Sequence, residues 1–303
     1  MNSKINQEVE AVITSFNQKS LIREAVYSLC RQTVRPGNVI IVDDGTTDKT
    51  SLEVLHELEQ DSGIPVPVSV IRQENQGVSA ARNTGIRKTR APLVLVLDGD
   101  DSLEPAFIEE VCKLLDENPS MTAASSWMRT FGVLEAEVRP AGGPAAAFLS
   151  RNGCPATHIF RREAWRSCGG YDESMRSGFE DWDFFLSMLE AVPGSQIGIV
   201  KEPLINYRTA PASSNIRSME KRLDLMRYLI EKHTDVYKNH VADAVLGLEA
   251  ISMSRLWGWE CEMTRAKSAG LCGLSAAFME SPSYGDGGMA AAVRIASFSS
   301  GER

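Results

Sequence analysis

Asp98-Gly99-Asp100-Asp101 places three carboxylates directly after an apolar run, Leu93 to Leu97. Carboxylates crowded in this way repel one another and stay ionised only beside a cation or strong hydrogen-bond donors. Oxygen ligands of this kind suit Mg2+ or Mn2+, which keep some waters and take further ligands from substrate phosphates. The chemistry that follows is a metal bridging one or two of these acids to a diphosphate. The stretch also has a structural reading, in which Asp101 or Ser102 caps a helix beginning near Pro105. The two are compatible, with Ser102 capping while Asp98 and Asp100 work.

Three other constellations can do chemistry. Asp43-Asp44-Gly45-Thr46-Thr47-Asp48 ends a second apolar run, Val39 to Val42. It is either turn and capping chemistry or a carboxylate placed to accept from a base N–H or a ribose hydroxyl. Gln76-Gly77-Val78-Ser79-Ala80-Ala81-Arg82 puts small residues at a helix start with an arginine one turn in. Small side chains permit close approach and Arg82 can neutralise phosphate, or it pairs with a helix acid at the surface. Gly178 to Phe185 sets Glu180, Asp181 and Asp183 among large aromatics. Carboxylates beside apolar bulk have raised pKa values and make general bases, while the same acids could cap the helix through Phe184, Leu186 and Leu189.

The elements that must carry these groups alternate. Glu10 to Phe16 reads as a strand, and Leu21, Ala25, Val26 and Leu29 recur at helical spacing until Pro36-Gly37. Val39 to Val42 is the second strand. Thr50 and Glu53 have capping-box spacing ahead of Leu52, Leu55 and Leu58. Val66 to Ile71 is the third strand, Ser79 to Lys88 a helix, and Leu93 to Leu97 the fourth strand. Continuously apolar strands alternating with amphipathic helices predict an α/β fold, with a mostly parallel sheet covered on both faces. Ligands bind such sheets beyond the carboxyl ends of the strands, where all of these polar groups fall.

From about Ile216 the pattern is helical, so residues 1–215 read as the catalytic domain and 216–303 as a smaller, mainly helical C-terminal region. Trp257, Trp259 and Met263 read as core of that region, with an acceptor lid or a homodimer face as the other uses. Ser281 to Arg303 is rich in Gly, Ser and Ala and reads as irregular, apart from a short helix around Met289 to Ile295.

The net charge of −8 and the lack of a Lys/Arg cluster argue against a nucleic-acid binder. Six scattered cysteines without a C-x-x-C pair argue against a zinc site or a disulfide framework. No run approaches the roughly 20 apolar residues of a transmembrane helix, and the first residues are polar. A cytoplasmic protein is expected.

The pieces occur in an order that resembles the inverting family 2 glycosyltransferases of GT-A fold. They are V-I-T-S-F-N at 12–17, I-I-V-D-D-G-T-T-D at 40–48, E-N-Q-G-V-S-A-A-R-N-T-G at 74–85 and L-D-G-D-D at 97–101. F-R-R-E-A-W-R-S-C-G-G-Y-D-E at 160–173 and E-D-W-D-F-F at 180–185 complete the set. The resemblance implies a nucleotide-diphosphate-sugar donor, UDP-linked, and an acceptor whose identity is unread. It implies that Thr14, Phe16, Asp43 and Asp44 hold the nucleoside, that Arg82 sits near the diphosphate or the base, and that Asp98, Gly99 and Asp100 complete the nucleotide-sugar site, one acid of the Asp98-Asp100-Asp101 cluster touching ribose and another the metal. Asp100 and Asp101 would be the metal ligands, for Mn2+ or Mg2+, and Asp181 beside Glu180 the catalytic base.

Two departures from the family pattern stand out. Tyr207-Arg208-Thr209-Ala210 lacks the histidine of Tyr-Arg-x-His, for which His158 is the nearest substitute in sequence. The Q-x-x-R-W element of processive synthases is absent, which favours single additions. Among rivals, a D-x-D phosphatase would carry its motif on the first strand, and a dinucleotide oxidoreductase would show G-x-G-x-x-G. A degenerate, nucleotide-binding partner subunit is opposed by the presence of Asp98, Asp100 and Asp181.

Overall fold

A computed structural model describes residues 4–210, 218–269, 279–285, 288–290 and 292–293, with the backbone alone for residue 4 and residues 259–269. Its first half alternates as expected: β1 (Lys4–Ser15), α1 (Leu21–Cys30), β2 (Val34–Asp44), α2 (Lys49–Gln60), β3 (Val68–Gln73), α3 (Val78–Lys88) and β4 (Leu93–Asp98). Strands β3, β2, β1 and β4 lie side by side and parallel. Side chains of β1 alternate between two cores. Val9, Ala11 and Ile13 face the core shared with α1, α2 and α4, while Val12 joins Ile40, Val42, Val94 and Val96 beneath α3 and α6. Each fully buried Val or Ile contributes roughly 1.5–3 kcal/mol, so a strand shift that reversed this alternation is strongly opposed.

The second half extends the sheet with mixed polarity. It comprises β5 (Ser102–Leu103), α4 (Phe107–Glu117), β6 (Met121–Gly132), β7 (Ala136–Val138), β8 (His158–Arg161), α5 (Arg162–Cys168), α6 (Glu180–Ala191) and β9 (Gln196–Thr209). The order is β3-β2-β1-β4-β8-β6-β9-β5, with β7 paired to β6. Strand β8 runs antiparallel to β4 and β6, β9 runs parallel to β6, and β5 antiparallel to β9.

The C-terminal helices are α7 (Arg222–Lys232), α8 (Thr234–Asn239) and α9 (Val241–Ala269). Leu229 and Ala244 join the core beneath α6. Charge completes the attachment: Lys232 Nζ meets Asp172 at 2.7 Å and Asp183 at 2.8 Å, and His233 lies between Asp183 and Glu190. Asp183 is fully buried, so these cations satisfy it and hold the helices against α6. Among the described residues no helix is long and apolar enough to cross a membrane.

Several local expectations change. Helix α2 is capped by Asp48, whose Oδ1 accepts from Ser51 N at 2.8 Å, and not by Thr50. Neither Asp101 nor Ser102 caps α4, because Ser102-Leu103 pairs with Asn206-Ile205 as a strand. Trp257 is 73% exposed rather than core, and the side chains of Trp259 and Met263 lie outside the described residues. Pro282, Met289, Ala290, Ala292 and Val293 are buried, so the described part of the Gly/Ser/Ala-rich end packs onto the body of the protein; residues 294–303 lie outside the description.

Candidate active site

Parallel pairing puts Thr14 opposite both Val42 and Asp98, so β1, β2 and β4 deliver their last residues to one edge. Beyond that edge lies an open cavity of about 590 Å3. Thr14, Phe16, Asp44, Arg82, Asp98, Gly99 and Asp100 all line it. Phe16 is half exposed at its mouth, a position from which a ring can stack on a base. Gly99 is required there because a Cβ would come within 2.7 Å of the Thr14 carbonyl oxygen.

Asp44 is buried and already accepts three hydrogen bonds, from Gln73 Nε2 at 2.8 Å, Gln76 N at 2.9 Å and Gly77 N at 2.8 Å. It fixes the loop that opens α3 and keeps room for about one further donor, since a carboxylate offers about four acceptor sites. Asp43 is not among the lining residues. Its carboxylate is buried and accepts from Thr46 N at 3.0 Å, which makes it the turn residue of this pair.

Arg82 is buried and bridges two acids from different elements, Asp98 at 2.9 Å and Glu180 at 3.1 Å. Burial works against its charge, but Asp98, Tyr171 and Glu180 outweigh it and hold the guanidinium protonated. The alternative of a surface arginine is thereby replaced by a buried ion triad. Arg82, Asp98 and Glu180 also line a second, smaller cavity of about 140 Å3, so the triad forms the wall between the two spaces.

Asp181 lines only the smaller cavity. It follows Phe179 (φ 66°) and Glu180 in the first turn of α6. Burial, and then the neighbouring Glu180, push its carboxyl up to about 7, with Arg82 pulling the other way. A carboxylate poised near neutrality is what general-base catalysis requires. Pro155, Ala156 and Thr157 face the same cavity, as does Tyr207.

The aspartate cluster divides. Asp100 lines the larger cavity, and burial followed by Asp98 pushes its carboxyl up to about 6. Asp101 faces the smaller cavity, is buried, and accepts from Arg208 N at 2.8 Å; burial, Asp100 and Asp98 raise it well above the usual range. Among the described residues no three acids, histidines or cysteines converge as a metal cage. Mg2+ and Mn2+ sites completed by substrate phosphates need only one or two carboxylates, and Asp100, which burial and Asp98 push up more than Arg208 pulls it down, fits that use. Asp101 is bound to the backbone and lies away from the larger cavity that Asp100 lines, which weakens it as a ligand.

His158 does not replace the missing histidine. It is fully buried on β8, with Nδ1 at 2.7 Å from the Ala156 carbonyl oxygen and rings of Phe160, Phe184 and Phe185 around it. Burial keeps it neutral, pushing its pKa to about 3.

Arg176, Lys221 and Tyr284 stand outside the segments that the sequence singles out. Arg176 and Lys221 line the larger cavity, and Tyr284 lines the smaller one together with Asn152, which lies in the 140–165 stretch that the sequence offers for the acceptor. A lone arginine before Gly178 is the one local signal; Lys221 and Tyr284 carry none.

The family model for glycosyl transferase family 2 matches residues 10–165. An uncharacterized glycosyltransferase of Haemophilus influenzae is 28% identical over 242 residues, covering 75% of this chain and 79% of that protein. Chondroitin synthase of Escherichia coli is 30% identical over 62% of this chain but only 27% of its own length. The crystal structure of S. aureus TarS 1-349 in complex with UDP-GlcNAc superposes with a TM-score of 0.58 at 14% identity, covering 78% of this chain and 72% of that one.

Proposed function

The chain belongs to glycosyl transferase family 2 and has the GT-A fold, and from that premise we propose that it performs a metal-dependent, inverting transfer of a sugar from a UDP-linked donor to an acceptor hydroxyl. One observation carries this reading: two cavities share the wall Arg82–Asp98–Glu180, and Asp181 stands on the far side of it from the nucleoside edge. The larger space takes the donor, with Phe16 against the base and Asp44 beside it. The smaller space takes the acceptor.

In that arrangement the acceptor hydroxyl gives its proton to Asp181. Its oxygen bonds to the anomeric carbon from the face opposite the diphosphate, and the bond from that carbon to the diphosphate oxygen breaks. Configuration inverts, and no covalent sugar–enzyme intermediate forms. Asp100, with Asp101 as the second candidate ligand, would hold a divalent cation, Mn2+ or Mg2+, whose charge would neutralise the diphosphate. Arg82 is partly committed to Asp98 and Glu180, so Arg176 and Lys221 bring the further positive charge that the departing group needs.

The chain works in the cytoplasm in this reading, in keeping with four described cysteines that are all free thiols. Two copies pair through α9, where Val245, Leu246 and Trp257 leave apolar surface exposed. A thermal-shift panel of nucleotide sugars with and without Mn2+ tests the donor assignment. UDP-sugars are expected to raise the melting temperature, and more so with the metal. A shift that ignores both nucleotide and metal would sink it.

A further inference from the structure

Asn152 lies between the turn at Ala145–Phe148 and β8, and its side chain is buried. Its Oδ1 accepts from Cys154 N at 3.2 Å, and its Nδ2 donates to Asp181 Oδ2 at 3.0 Å. The orientation is forced, because an N–H faces one end of the amide and a carboxylate the other, so turning it over breaks both bonds. Asp181 Oδ1 in turn accepts from Trp182 N at 2.8 Å. Both carboxylate oxygens are therefore tethered, and the plane of the group is set relative to the smaller cavity.

Asn152 is itself seated by residues more than a hundred positions later in the chain. Gly285 has φ +78°, and a Cβ there would stand 2.0 Å from the Asn152 carbonyl oxygen and 2.8 Å from its nitrogen. Tyr284 Oη donates to the Cys154 carbonyl oxygen at 3.1 Å. The backbone that carries Asn152 is thus clamped on two sides by the C-terminal segment.

We infer that Asn152 is a positioning residue: it aims the Asp181 carboxylate at the acceptor hydroxyl, and the Tyr284-Gly285 segment holds it in place to do so. The inference rests on the reading of Asp181 as the general base. The charged and titratable neighbours of Asp181 are Glu180 on its own helix, Arg82 from α3, Asp98 from β4 and Tyr207 from β9. Tyr171, Cys154 and Tyr284 complete its surroundings. Asn152 differs from all of these as a neutral group that donates directly to the carboxylate, stabilising its ionised form.

The test uses the full chain labelled with 13C at Asp carboxyls and titrated by NMR, the Asp181 signal being the one that Asp181→Asn removes. Asn152→Ala should raise the Asp181 midpoint by about one pH unit, since a hydrogen bond to a charged group is of that order. Asn152→Asp, which keeps the size and the bond from Cys154, should raise it further by repulsion. Gly285→Val should move it in the same direction from outside the cavity. UDP binding, followed by thermal shift, should stay within twofold in all three, because Asn152 does not line the donor cavity. Should Asn152→Ala fail to fold, the isosteric Asn152→Asp carries the test. An unmoved midpoint in folded Asn152→Asp overturns the inference. Full transfer activity in Asp181→Asn would instead overturn the general-base reading, whatever Asn152 does to the midpoint.

Discussion

The two halves of the site are built differently. The larger cavity, the proposed donor half, is made of strand ends: Thr14, Asp44 and Asp98 arrive from three adjacent parallel strands, whose register places them before any loop is specified. The smaller cavity, the proposed acceptor half, is assembled from segments far apart in the chain, with Asn152, Asp181, Tyr207, Tyr284 and Met289 meeting around it. Among the described residues the wall of Arg82, Asp98 and Glu180, with Gly178 beside it, belongs to both. A shared nucleotide platform next to a wall of loops and tail allows the acceptor to change without rebuilding the donor side.

Breaking the shared wall should have the largest effect. Arg82→Met leaves Asp98 and Glu180 facing each other without their cation, at a cost of about 2–4 kcal/mol in urea unfolding, somewhat below a fully buried pair because Asp98 is partly exposed. Donor binding and transfer should fall together. Loss of one with the other intact would mean that the wall does not join the halves.

Asp181→Asn touches the acceptor half alone and sharpens the contrast through stability. Burial and Glu180 raise the Asp181 pKa in the folded state, so the native protein binds its proton more tightly than the unfolded chain does. Stability from this group is therefore lost as pH rises from about 4 to about 7. The variant should equal the parent near pH 4.5 and exceed it by about 1–3 kcal/mol at pH 8. Melting curves at the two pH values would expose a wrong sign.

Trp257→Glu touches neither half. It should leave donor binding and transfer within twofold and shift self-association toward monomer in light scattering, whereas an unchanged oligomeric state would remove α9 as the pairing face.

The same division explains what could be read from the chain. Strand periodicity located Thr14, Asp44, Asp98 and Asp100 at one edge because alternation and register follow from apolar pattern alone. Side-chain direction within loops does not. Asp43 and Asp44 are adjacent in sequence, yet one ties a turn and the other faces the cavity. Asp101 and Ser102 were legible as a cap, but Ser102 joins a strand contributed by pairing with residues a hundred positions away. His158 was a plausible ligand by type and is a core ring by burial. Asn152 lies in the 140–165 stretch that the sequence offers for the acceptor, but its contact with Asp181, like the place of Tyr284, exists only once distant segments meet.

The central claim is that Asp181 serves the acceptor side and not the donor side. Donor affinity and transfer rate measured side by side in Asp181→Asn test it most directly. UDP-sugar affinity should stay within twofold while transfer falls by about 10²–10⁴. Near-normal transfer, or a loss of donor affinity large enough to explain the lost rate, would contradict it.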